Sequence, residues 1–146
     1  MTLFGCSKPP PIPDEFIEKS LWAYKTQHYS WVVENTYWGS REVPDWESND
    51  SFTDAERELL LEMLEGNCTA SIEYQGNRAT AVIDYSQSGI MEWLRVNKFG
   101  EPPALSASDR EAVRNWCERF IYVNGRWYLA ESWEGEGWAE GMRLGR

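Results

Sequence analysis

The chain has 146 residues and a mass of 17.0 kDa, with 14 Lys+Arg against 24 Asp+Glu and a formal net charge of −10. That length suits one compact domain, and an apolar fraction of 42% with nine Trp is enough to build its core, which excludes wholesale disorder. The acidic balance excludes a phosphate-backbone binder, which needs clustered Lys and Arg, and no run of 18 apolar residues is present to span a bilayer.

In chain order, the first feature is Leu3-Phe4-Gly5-Cys6-Ser7. An apolar residue three places before a Cys, and a small residue directly before it, resembles a bacterial lipobox. The resemblance implies that Cys6 is lipidated and that the protein is periplasmic, held at the outer membrane only by that anchor. An export signal needs a basic stretch and an apolar stretch of roughly 7–15 residues. Only four residues separate Met1 from Cys6, so this reading requires a longer start than the one written, and a cytoplasmic thiol is the alternative. Lys8-Pro9-Pro10-Pro11-Ile12-Pro13 follows, and such a run favours extended polyproline II. Residues 1–13 are therefore expected to be a lipobox-like start and a stiff tether, residues 14–133 a single domain, and residues 134–146 an irregular Gly/Glu-rich tail.

Pro13-Asp14-Glu15 suits a helix start, since Pro fits the first turn and acids favour the positive end of the helix dipole. Phe16, Ile17, Leu21, Tyr24, Trp31 and Val32 recur with a helical period, with His28 on the same stripe, so the pattern predicts one long helix over 14–35. Residues 39–51 read as a polar loop. Between Glu34 and Glu65 there are 10 acids against only Arg41 and Arg57. Inside this stretch stands Trp46, a residue type that dominates binding hot spots. Glu42, Asp45, Trp46, Glu47 and Asp50 are thus the candidate partner-binding patch, fitted to a basic protein. The bland reading of the same charges is a solvated surface. Thr53-Asp54-Ala55-Glu56 is a capping box that starts a second helix, and Gly66 ends it.

Strand patterns follow. Cys68, Ala70, Ile72 and Tyr74 alternate with polar residues, and after Gly76-Asn77 come Ala79, Ala81, Ile83 and Tyr85. A two-residue turn pairs 74 with 79, 72 with 81, 70 with 83 and 68 with 85, leaving one dry face. Residues 89–99 fit a short helix or a strand. Ser108-Asp109-Arg110-Glu111 is another capping box, giving way to a strand by Trp116 or Cys117. Asn124-Gly125 between two β-rich runs is a strong hairpin signal that pairs 122 with 127 and 120 with 129. The same register continues to Glu118 opposite Glu131 among aromatics. Two facing carboxylates need a partner cation, a bound cation or a shared proton, so the pair is a candidate ligand or cation site; early fraying of the ladder is the alternative.

These patterns predict an α+β fold, with N-terminal helices packed on a curved antiparallel sheet of about four strands. Arg119-Phe120-Ile121-Tyr122-Val123-Asn124-Gly125-Arg126-Trp127-Tyr128-Leu129-Ala130 resembles the last hairpin of small cone-shaped domains similar to nuclear transport factor two. Gly76-Asn77-Arg78-Ala79-Thr80-Ala81 resembles an earlier hairpin of the same domains. The likeness covers residues 68–132 at most, residues 86–115 depart from it, and it carries over no catalytic residue. It implies a curved sheet around a helix, a design used by many bacterial envelope lipoproteins.

Cys68 and Cys117 are either a disulfide, permitted in an oxidising compartment, or two buried thiols. No C-x-x-C pair occurs and His28 is the sole histidine, too few ligands for zinc, so neither a metal nor another cofactor is expected. No nucleophile motif or phosphate loop is present, and a lone helical histidine is more often packed than catalytic. The expected function is therefore a non-enzymatic, protein-binding envelope lipoprotein, in one form an immunity or inhibitor protein masking a basic toxic effector. Two other classes stay open. One is a cytosolic acidic mimic of nucleic acid that blocks a DNA- or RNA-binding enzyme. The other is a cone that binds a small ligand or acts as an enzyme, using Glu118, Glu131 or His28.

Overall fold

A computed structural model describes residues 8–48, 51–99 and 115–130. It has an α+β fold with a mixed five-stranded sheet. Helix α1 (Asp14–Lys25) and helix α2 (Tyr29–Glu34) lead into a short strand β1 (Thr36–Tyr37). Helix α3 (Asp54–Leu64) precedes strands β2 (Thr69–Gln75) and β3 (Arg78–Asp84), then helix α4 (Ile90–Leu94) continues into a π-helical turn (Arg95–Phe99). Strands β4 (Asn115–Val123) and β5 (Arg126–Ala130) complete the sheet, whose order is β1-β5-β4-β3-β2.

Both hairpins have the register that alternation dictates. Tyr74 pairs with Ala79, Ile72 with Ala81 and Ala70 with Ile83; Tyr122 pairs with Trp127 and Phe120 with Leu129. Asn124 and Gly125 both take positive φ (52° and 84°), as a type I′ turn requires. The strand count is five because Thr36 and Tyr37 add in parallel to Leu129 and Ala130 at the β5 edge. That two-residue strand has no alternation to read in sequence, and the carbonyl of Asn35, accepting from the Leu129 amide at 2.7 Å, leads it in. Residues 90–99 are helical, resolving the ambiguity of the apolar pattern over 89–99.

The single helix expected over 14–35 is two helices. Thr26 closes α1, Gln27 turns left-handed (φ 57°), the Gln27 amide bonds the Tyr24 carbonyl and the His28 amide bonds the Ala23 carbonyl at 2.8 Å. This is a Schellman ending in which glutamine fills the position usually held by glycine, so no glycine marks it in the sequence. Tertiary contacts hold it: Arg57 of α3 donates to the Thr26 carbonyl, and the Trp22 indole donates to the Arg57 carbonyl at 2.7 Å. The break keeps the apolar stripe on the core side while redirecting the chain toward the β5 edge.

The Thr53–Glu56 capping box is formed in both directions, at 3.1 and 2.9 Å, and satisfies two orphan amides at the start of α3. The core lies between the helices and the inner face of the sheet: Ile17, Leu21 and Val32 meet Leu60, Leu64, Ala79, Ala81, Ile83, Phe120, Trp127 and Leu129. Trp22, Trp31, Trp93 and Trp116 line its margin, half-buried. Ile12 and Phe52, which belong to no regular element, are also buried.

The proline-rich segment departs from the expected free tether. Ile12 is buried, its amide donates to Tyr74 Oη at 3.0 Å, and the Trp127 indole donates to the Pro10 carbonyl at 2.8 Å. A polyproline stretch exposes unpaired carbonyls, and a buried indole N–H needs an acceptor, so the two satisfy each other. Residues 10–13 thus belong to the folded domain.

Candidate functional site

The chain leaves β1 beyond Ala130, at the end of the sheet opposite the Asn124-Gly125 turn. The acidic loop starts there and is tied down at both ends. At its start, the Trp38 indole donates to the Val33 carbonyl at 3.0 Å, and the Arg41 amide and guanidinium donate to the Trp38 carbonyl at 3.0 and 3.1 Å. At its end, Ser48 Oγ accepts from the Ser30 amide at 3.3 Å and lies 2.8 Å from both His28 Nδ1 and Ser30 Oγ. Ser48 thereby caps the first turn of α2, so the His28–Ser48 contact fastens the loop.

Between these fastenings Glu42, Asp45 and Glu47 are exposed, together with Val43 (57%) and Trp46 (51%). Trp46 stands edge-on against Trp38, with ring centroids 6.0 Å apart, which holds the indole in place while leaving half its surface to solvent. An exposed aliphatic and an exposed indole set among three carboxylates have the composition of a binding anchor inside a polar rim. Asp50, the fifth residue expected in this patch, lies outside the described residues, as do Cys6, Glu131, the Ser108–Glu111 capping box and the tail. Within residues 38–48 the one basic residue is Arg41, whose guanidinium donates to the Trp38 carbonyl and to that of Tyr37 at 3.4 Å.

A second acidic position occupies the inside of the same end of the sheet. Glu118 lies on the inner face of β4, opposite Ala81, and is buried. Burial pushes its carboxyl up to about 7; the Trp116 indole at 2.9 Å, the Arg119 amide at 3.3 Å and the Arg119 charge pull the other way. The Trp116 ring also meets the Lys25 ammonium, 5.2 Å from its centroid and 5.0 Å from that of Tyr85, and burial lowers the Lys25 pKa. Tyr24 also packs on Trp116, at 5.3 Å. Tyr85 is fully buried, its hydroxyl has no hydrogen-bond partner among the described residues, and burial raises its pKa to about 12. This aromatic and ionic cluster closes the core at the loop end. The expected pairing of Glu118 with Glu131 rests on a residue outside the described set; within that set the carboxylate is held by Trp116 and Arg119.

Cys68 and Cys117 are not joined to each other. Cys117 pairs with Val82 on the sheet face away from the core, Cys68 adjoins the core at the start of β2, and β3 runs between their strands. Two strand spacings are roughly 10 Å, beyond the reach of a disulfide. Burial, with Glu18 and Asp84 adding to it, raises the Cys68 thiol to about 11, so it is a weak nucleophile near neutrality. His28 is held below its ordinary value, first by burial and then by Arg57, with Glu34 and Asp54 opposing. Among the described residues no cluster of His, Cys, Asp and Glu has the make-up of a metal site, and no helix is long and apolar enough to cross a membrane. Ile12 and Phe52 are the buried residues without a periodic signal, since each sits in an irregular segment where alternation and helical spacing say nothing.

Comparison of the chain with protein-family models, with curated proteins and with solved structures finds no match in any of the three.

Proposed function

We propose that the domain is a non-enzymatic binding module that captures a basic protein through the loop carrying Glu42, Val43, Asp45, Trp46 and Glu47, and that it works at the outer membrane on a lipid anchor at Cys6. An immunity or inhibitor protein masking a basic toxic effector is the specific form of this reading. The single observation that carries it is the exposure of Trp46 on a loop fastened at both ends. An indole half open to solvent is costly to hydrate and gains on being covered, and a loop already ordered loses little conformational entropy when it binds. The surrounding carboxylates add long-range attraction for a positive surface.

Val43 and Trp46 favour a protein partner over nucleic-acid mimicry, because a mimic needs charges at phosphate-like spacing and gains nothing from exposed apolar side chains between them. The Ser48–His28 contact is employed in capping α2, and the Cys68 thiol is protonated near neutrality, which supports a non-catalytic role.

A photo-crosslinking residue in place of Trp46, in the full chain in its own cells, tests the reading. The expected result is an adduct with one basic protein, weakened by salt and lost in the Asp45→Lys/Glu47→Lys variant, with no such adduct from the same residue at Tyr74. An adduct that survives charge reversal, or none above the Tyr74 control, overturns the patch. Mass spectrometry of the native protein checks the anchor separately: a diacylglycerol on Cys6 supports it and an unmodified thiol removes it.

A further inference from the structure

The two ends of the sheet differ in what they carry. At the turn end lie Asn77, whose carbonyl accepts from the Tyr122 amide at 2.7 Å, and the Asn124-Gly125 turn. Tyr74, Tyr122 and Trp127 cluster just inside it, with ring centroids 5.9 and 5.2 Å from Trp127. Residues 10–13 are bound to this cluster through Trp127 and Tyr74. Helix α1 then runs from there to the opposite end, where Tyr24 and Lys25 reach Trp116. The acidic loop leaves from that opposite end, because β1 runs parallel to β5 and exits past Ala130.

We propose that residues 10–13 are a strap that fixes where the N-terminal part of the chain leaves the domain, at the turn end, so that an N-terminal anchor presses the turn end to the membrane and turns the Trp46 loop outward. This rests on the anchored reading above and adds an orientation to it. From Cys6 to Pro10 is four residue steps, which span at most about 14 Å fully extended. An anchored domain so held has little freedom to roll. The orientation also suits the charge distribution. Bacterial membrane surfaces rich in anionic groups repel a patch holding Glu42, Asp45 and Glu47, and the strap keeps that patch on the far side, open to a partner arriving from solution.

The test uses the chain with a histidine tag in place of residues 1–6, which puts the anchor where Cys6 would stand, on vesicles with nickel-chelating lipid, so it holds whether or not Cys6 is lipidated in the cell. A genetically encoded fluorophore replaces Gln75 in one protein and Asp45 in another, and energy transfer to an acceptor dye in the lipid reads each height. The nine residues of β4 span about 30 Å, so Gln75 is expected to be strongly quenched and Asp45 weakly, with a height difference of that order. Ile12→Ser, which releases the strap, is expected to narrow the difference. Equal quenching at both positions, the reverse order, or a difference untouched by Ile12→Ser overturns the proposal. Amide exchange on the unsubstituted protein gives a check free of any folding defect. Ile12 is expected to be protected at least tenfold over Lys8, and equal exchange at the two positions overturns the strap. Neither result bears on whether Trp46 binds a partner.

Discussion

The acidic loop and the buried Glu118 set a carboxylate beside a tryptophan at the same end of the sheet, with opposite consequences. Around Trp46 the carboxylates face solvent and act at a distance, while the indole is left available for contact. Beside Trp116 the carboxylate has lost its water, its indole neighbour donates a hydrogen bond to it, and its proton affinity rises to about 7. Composition is the same in both places; burial alone separates an outward-facing electrostatic patch from an inward group whose charge is suppressed.

That contrast yields its largest effect at Glu118. The folded-state pKa is raised above the ordinary 4.5, so the folded protein holds the extra proton between the two values. The contribution is complete below pH 4.5 and is lost as pH rises to about 7 and beyond, the reverse of the usual carboxylate behaviour. Glu118→Gln keeps an acceptor for Trp116 without a charge. It is expected to be more stable than the parent by on the order of 3 kcal/mol at pH 8, with the gap closing by pH 4.5, as read from urea midpoints across that range. A gap independent of pH would show that Glu118 is solvated and would erase the contrast.

Next in size is Trp46→Ala. It is expected to weaken partner binding by at least about 2 kcal/mol, roughly thirtyfold in Kd, while moving the thermal midpoint little, because the indole is half exposed. Calorimetric titration with the captured partner and a melting curve measure the two halves of that statement. Loss of stability equal to loss of binding would place Trp46 in the core economy of the fold.

Two smaller effects concern how the loop and α1 are fastened. Ser48→Ala removes the acceptor for the Ser30 amide and the contact to His28, and is expected to cost about 1 kcal/mol, with faster amide exchange in residues 39–48 and a weaker partner complex. Gln27→Gly replaces a side chain that must hold φ 57° and is expected to raise stability by up to about 1 kcal/mol without touching binding. The smallest is the titration of His28, the sole histidine of the chain. Its folded pKa is lowered, so its contribution is present above the ordinary 6.5 and is lost as pH falls through the window below it, opposite in sign to Glu118. A proton NMR midpoint below 6.5 is expected for its ring.

The sequence alone carries both hairpin registers, because alternation with period two and the Gly76-Asn77 and Asn124-Gly125 turns leave one pairing that sets Ala70, Ile72, Ala79, Ala81 and Ile83, and likewise Phe120, Tyr122, Trp127 and Leu129, on the core face. It determined the start of α3 through Thr53 and Glu56, a local device needing no distant partner. It pointed to Trp46 as an outlying tryptophan, since its neighbours are acids and turn formers. Packing, by contrast, set the end of α1 at Lys25, because the carbonyl of Thr26 is satisfied by Arg57, thirty-one residues away. It decided that the proline segment is held down, because the acceptor for Ile12 and the donor to Pro10 come from separate strands of the sheet. It decided that β1 joins β5 in parallel and that Cys68 and Cys117 stand apart, since both follow from which strand lies between which. Local pattern fixes periodicity and turn chemistry; the pairing of groups far apart along the chain is fixed by packing, which no short window of sequence contains.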